Sequence, residues 1–146
     1  MTDLTRDESS PPAVPADLDM DVHLASAEDL AALRRRLRAW SGTCGLSDHH
    51  TDDIVMAVDE IATNALEHGR PPARVRSWTT PEALFVQVDD HGGTRIPVAT
   101  GYHRPPTDAR RGRGIWMARA FADVLTTHTG VTGTTVALRF PRPAAL

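Results

Sequence analysis

The sequence contains no lysine; all 16 of its basic residues are arginine. A P-loop nucleotide site grips phosphate with a lysine, and a eukaryotic-type protein kinase also depends on one, so both mechanisms are excluded. Schiff-base chemistry is excluded for the same reason. Cysteine occurs once, at Cys44, so no internal disulfide can form. With that one cysteine and seven scattered histidines, a zinc site is not expected either. Aromatic residues make up 5% of the chain and the formal net charge is −3, a poor match to nucleic acid. No apolar run approaches the ~20 residues that span a bilayer. The N-terminal stretch MTDLTRDESSPPAVPADLD is acidic and proline-rich and lacks the basic-then-apolar pattern of a secretory signal. The expectation is a cytoplasmic protein with no membrane and no direct nucleic-acid partner.

The 146 residues, 40% of them hydrophobic, are enough for one globular domain that buries roughly two thirds of its unfolded surface. Residues 1–17, poor in large apolar side chains, read as a flexible acidic tail, and residues 18–142 as the domain. LDMDVHLA at 18–25 alternates and predicts a first strand, at a sheet edge. Leu30, Leu33, Leu37 and Trp40 fall at helical spacing behind Ser26, a suitable N-cap, and SGTCG breaks that helix. A second helix runs from a Ser47 or Asp48 cap to His68 and stops at Gly69. ARVRSWT (73–79) and ALFVQVD (83–89) read as an antiparallel hairpin. Residues 91–112 form a long Gly-, Pro- and Arg-rich loop, a length that in a compact domain is usually functional. A third helix from Gly114 carries Ile115, Ala118, Phe121 and Ala122 on one side, and VLTTHT and GTTVALRF follow as strands. This order predicts an α+β two-layer sandwich, with a mostly antiparallel sheet and helices on one face.

The second helix has an unusual edge. Ile54, Val58, Ile61 and Ala65 make its core stripe, widened by Val55, Ala62 and Leu66. The opposite flank carries Asp53, Ala57, Glu60, Asn64 and His68, with the small Ala57 leaving room beside the polar groups. Glu and Asn on a helix surface can be merely solvated. Asn is nonetheless a poor mid-helix residue, because its side chain competes for backbone hydrogen bonds. Its carboxamide oxygen suits Mg2+, and Glu60, one turn away, suits proton abstraction from a hydroxyl.

Two glycine-containing boxes follow. In FVQVDDHGG (85–93) the alternation Val86, Val88, Asp90 carries an inward-facing row to the strand's end. Asp90 there could accept a hydrogen bond from an exocyclic amine such as adenine's, or stand in an ordinary Asp-Gly turn. Gly92 allows close backbone approach. In RRGRGIWMARAFAD (110–123), Gly112 and Gly114 stand at a helix mouth, where free N–H groups favour an anion, and Arg113 adds charge.

Taken in order and spacing, these boxes resemble the Bergerat (GHKL) ATP-binding fold. DEIATNALEHG is similar to its N-box, VDDHGG to its first glycine box, GRGIW to its second and GTTVALRF to its last strand. Within that superfamily the chain looks most like the small bacterial serine/threonine kinases that act as anti-sigma factors. The resemblance implies Mg2+ and ATP as cofactors, with Glu60 as general base and Asn64 as metal ligand. It further implies nucleotide contacts from Asn64, Asp90, Gly92, Gly112, Arg113, Gly114, Ile115 and Thr134, beneath a lid at 94–111. The implied partners are a STAS-domain anti-anti-sigma protein, whose serine is phosphorylated, an alternative sigma factor and a second copy in a homodimer. An ATP-binding partner-switch module with little or no transfer is the alternative; Arg34, Arg35, Arg36 and Arg38 read either as a solvated helix surface, the commoner case, or as a docking face for an acidic partner. The chain departs from the family in its Pro- and Arg-rich lid and in His91–Gly92–Gly93, where a proline between two glycines is frequent.

Overall fold

Residues 5–7, 13–92, 116 and 118–143 are described by a computed structural model of the protein. Among the described residues the elements are β1 (Thr5–Asp7), β2 (Met20–Leu24), α1 (Ala27–Thr43), α2 (Asp48–His68), β3 (Ala73–Thr79), β4 (Ala83–Asp90), β5 (Val124–Gly130) and β6 (Gly133–Pro141). Residues 118–121 are helical and lead into β5. The strands form one sheet in the order β1-β5-β6-β4-β3-β2. All pairings are antiparallel except that of β1 with β5. This is the expected α+β layering, and β2 is an edge strand as its sequence predicts.

β1 is a correction to the flexible tail. Thr5–Asp7 pairs parallel with Leu125–Thr127. Nothing in the sequence TRD proposes a strand, because the pairing rests on main-chain groups along β5 rather than on apolar side chains.

Each helix end has a local cause. Ser26 caps α1, its Oγ accepting from the Asp29 N–H at 3.2 Å, and Ser47 caps α2 through the His50 N–H at 3.2 Å. α1 continues past the expected break at Ser41 to Thr43. It ends where Gly45, at φ +82°, turns the chain so that Leu46 N–H reaches Ser41 C=O and Gly45 N–H reaches Gly42 C=O. That paired bonding satisfies the last carbonyls, and it needs the left-handed conformation glycine supplies without strain.

The core lies between the helices and one face of the sheet. Leu33, Leu37 and Trp40 from α1 and Ile54, Val55, Val58, Ile61, Ala62 and Ala65 from α2 are buried there. They meet Val75, Leu84, Val86, Val88, Val136, Leu138 and Phe140 of the strands. Cross-strand register puts Arg74, Arg76, Gln87, Asp89, Thr135 and Arg139 on the opposite face. Most of these charges are paired: Arg74 with Asp21 at 2.8 and 2.7 Å, Arg76 with Asp89 at 2.6 Å, and Arg139 with Asp123. Trp78 stacks on Phe85 at 5.5 Å between ring centroids.

Two arginines of the α1 run are engaged within the fold. Arg34 donates to Asp59 at 2.8 Å and Arg38 to Asp52 at 2.5 Å, tying α1 to α2. Such half-exposed pairs contribute ~1 kcal/mol or less, whereas truncating a sealed core leucine leaves a cavity. Leu37 is fully buried. Leu37→Ala is therefore expected to lower unfolding free energy by ~2–5 kcal/mol and Arg38→Ala by under ~1 kcal/mol, measured by urea denaturation.

Candidate functional site

Asp90 ends β4, opposite Thr134 on β6, which in turn lies opposite Thr129 on β5. One row of three polar side chains thus crosses three central strands. The Asp90 Oδ1 accepts the Gly92 N–H at 2.7 Å. Thr134, 3% exposed, directs its hydroxyl to the Gly92 C=O at 3.4 Å and lies 3.4 Å from the Thr129 hydroxyl. Burial pushes the Asp90 carboxyl above its ordinary range, against the main-chain N–H groups of Gly92 and Thr134, which favour the charged form. A half-buried carboxylate held at a strand end is suited to accept a hydrogen bond from a ligand donor.

The backbone around Asp90 approaches closely. Gly133, at φ +142°, begins β6 so near the Asp90 main chain that a side chain there would run into it. Gly92 turns back over the end of α2, whose last N–H, that of Gly69, closes on Ala65 C=O at 2.9 Å. The C-terminal end of α2, the Asp90–Gly92 turn and the start of β6 therefore meet at one place.

Glu60 and Asn64 lie one turn apart on α2 and are both half-buried. Among the described residues neither side chain has a hydrogen-bond partner. The Asn64 carboxamide is thus not consumed by capping or bonding back to the helix, the usual outlets for a mid-helix Asn. Ala57, expected to leave room beside them, is instead fully buried in the core. The polar edge accordingly narrows to Glu60 and Asn64, since Asp53 faces His49 at 3.8 Å and His68 lies beside Glu67 at 3.8 Å. Gly112, Arg113, Gly114 and Ile115 lie outside the described residues.

A cavity of about 720 Å3 reaches Asp90, His91 and Gly133 and extends past His23, Arg74 and Arg76 on the far face of the sheet. It does not include Glu60 or Asn64, and its arginines are already ion-paired. The site is better defined by the convergence of α2, β4 and β6. Among the described residues no group of three or more His, Cys, Asp or Glu side chains could hold a metal by itself. A hard cation would need ligand phosphates and waters beside Asn64, the mode Mg2+ prefers. Asn64 oxygen, unengaged and half-buried, fits that part.

Sequence reasoning passed over Gly69, Thr129 and Gly133 as site residues. Gly69 read only as a helix stop and Gly133 only as the neighbour of Thr134. Thr129 carries no local signal, because its place beside Thr134 comes from the β5–β6 register.

The raised Asp90 value has a consequence for stability. The folded protein holds this proton more tightly than the unfolded chain, so the linked stability is present below the ordinary value of 3.8 and is lost as pH rises through the raised one. The melting temperature of the wild type should therefore fall relative to that of Asp90→Asn as pH rises across this window. Parallel melting curves at all pH values would contradict it.

Comparison with known proteins bears on this geometry. Residues 24–140 match the model of the Histidine kinase-like ATPase domain. Among solved structures, the RsbU and RsbW domains of Rv1364c from Mycobacterium tuberculosis align with a TM-score of 0.61 at 23% identity, over 87% of this chain and 34% of that one. A blue-light activated histidine kinase from Erythrobacter litoralis aligns with a TM-score of 0.52 at 26% identity, over 66% of this chain and 32% of that one. The histidine kinase domain of that protein aligns with a TM-score of 0.50 at 25% identity, over 77% of this chain and 60% of that one. The chain thus spans a third to three fifths of the length of these structures. No described helix is long and apolar enough to cross a membrane. The α+β order of elements accords with the family match over most of the chain: the protein belongs to the histidine kinase-like ATPase domain family, the GHKL group.

Proposed function

We propose that the chain is a cytoplasmic, Mg2+- and ATP-dependent serine/threonine protein kinase that acts as an anti-sigma factor and phosphorylates a STAS-domain partner. The observation that carries the reading is the pair of half-buried side chains on α2, Glu60 and Asn64, without a hydrogen-bond partner among the described residues, on a helix whose C-terminal end abuts the Asp90 turn. The RsbW domain of the Mycobacterium tuberculosis structure supports the anti-sigma part of the proposal by likeness of fold. The histidine kinase likenesses leave phosphoryl acceptor chemistry as the point the experiment must decide.

In this reading Mg-ATP supplies the transferable phosphoryl group and, through the cation, offsets its charge. The chain's own residues do the rest. Asp90 accepts a hydrogen bond from the adenine amine, with Thr134 and Gly92 holding the surrounding turn. Asn64 contributes its carboxamide oxygen to the cation. Glu60 accepts the proton of the attacking serine hydroxyl, which raises the nucleophilicity of that oxygen. Gly112, Arg113, Gly114 and Ile115 are proposed as further nucleotide contacts. A sigma factor and a second copy of the chain are the remaining proposed partners.

Incubation with labelled ATP and candidate STAS proteins tests the proposal. Acid-stable label on the partner is the expected result, because a serine phosphoester survives acid whereas a phosphohistidine does not. ATP binding without transfer would instead leave a partner-switch module. Glu60→Ala is expected to keep ATP affinity and lose ~10²–10⁴-fold in transfer rate, and normal transfer would remove Glu60 from the mechanism. Asn64→Ala is expected to abolish Mg2+-dependent ATP binding in calorimetry, and unchanged affinity would refute the metal assignment.

A further inference from the structure

Gly69 ends α2 in a backbone conformation that does not itself call for glycine. Its φ of −91° and ψ of −166° are extended backbone that any residue adopts, and its N–H bond to Ala65 C=O needs no glycine. What requires glycine is the space. A Cβ placed on Gly69 would lie 2.4 Å from the Ala65 carbonyl oxygen at the end of α2 and 2.8 Å from both Cβ and Cγ of Asp90, and one placed on Gly92 would lie 2.5 Å from the Gly69 Cα. Non-bonded carbons rest at ~3.5–4.0 Å, so neither side chain fits without displacement. The atoms a Gly69 Cβ meets are the Ala65 carbonyl oxygen and the base of the Asp90 side chain, not a flexible tip that could swing aside.

Asp90 has little freedom to yield elsewhere. Its Oδ1 is held by Gly92 N–H, its main chain is faced by Gly133, and its strand position is set by pairing with Thr134. The side of the carboxylate towards α2 is therefore bounded by the bare Cα of Gly69. We propose that Gly69 is a positioning residue for base recognition: by lacking a side chain it sets the orientation of the Asp90 carboxylate, and so the preference for a purine bearing an exocyclic amine. This assignment rests on the reading of Asp90 as the group that accepts from the adenine amine.

The test compares binding of Mg-ATP with that of Mg-inosine triphosphate, which carries a carbonyl oxygen where adenine carries the amine. The wild-type chain is expected to prefer ATP. Gly69→Ala is expected to lose ~10-fold or more of ATP affinity, with affinity for the inosine nucleotide nearly unchanged, because only the amine contact depends on carboxylate orientation. Gly69→Ala in an Asp90→Gly background, which removes both Asp90 atoms that the added methyl group meets, is expected to leave the ATP-to-inosine ratio at the value of Asp90→Gly alone. Circular dichroism and thermal melting monitor folding of each variant. Equal losses for both nucleotides, or an additive effect in the double variant, would assign Gly69 a purely structural role. A wild-type chain that binds ATP without distinguishing the two would instead overturn the Asp90 reading, and this assignment with it.

Discussion

The contact between α2 and the sheet, made by Ile54, Val58, Ile61 and Ala65, decides where the α2 groups of the candidate site stand. A helix held by one stripe presents its flank at a fixed angle to the sheet it covers. Glu60 and Asn64 occupy that flank one turn apart, so their placement follows from the same burial that stabilises the domain. The far end of the helix is placed by the same contact, and it is there that Gly69 meets the Asp90 turn. Packing and chemistry share one element, and a shift of α2 would move all these groups together.

The sheet supplies the complementary constraint. β4 and β6 are central neighbours, and their register sets Asp90 opposite Thr134 and, through β5, Thr129. Ligand-recognising groups at the ends of such strands inherit the rigidity of the ladder. The opposite face carries ion pairs, among them Arg74 with Asp21 and Arg76 with Asp89, which leave its arginines engaged within the fold. The two faces thus divide the work: one is covered by helices and bounds the proposed nucleotide site, and the other is a polar surface of matched charge.

Much of this was legible residue by residue. The 3.6-residue spacing of α2, its Ser47 cap and its end at Gly69 each have a local physical cause, so a linear reading finds them. Asn64 stood out because mid-helix Asn is locally unfavourable, and its side chain has no partner among the described residues. The place of Asp90 at the end of the inward-facing row of β4 was legible from strand alternation. What escaped was whatever depends on two distant segments meeting. The strand at Thr5–Asp7 exists through its pairing with β5, and Arg34 and Arg38 meet Asp59 and Asp52 only once α1 lies on α2. Ala57 looked like a gap in a polar edge and proved to be core, because periodicity locates a stripe but not its width.

The sequence by itself determined which segments from β2 onward become helix and strand, which face of α2 is apolar, and which polar residues are out of place on a structural account. Those properties follow from side-chain chemistry and spacing within one element. Only the tertiary structure decided that Gly69, Gly92 and Gly133 crowd around Asp90 and that Thr129 joins the same row. A glycine carries no record in the chain of what it must make room for; that is set by the element that comes to lie against it.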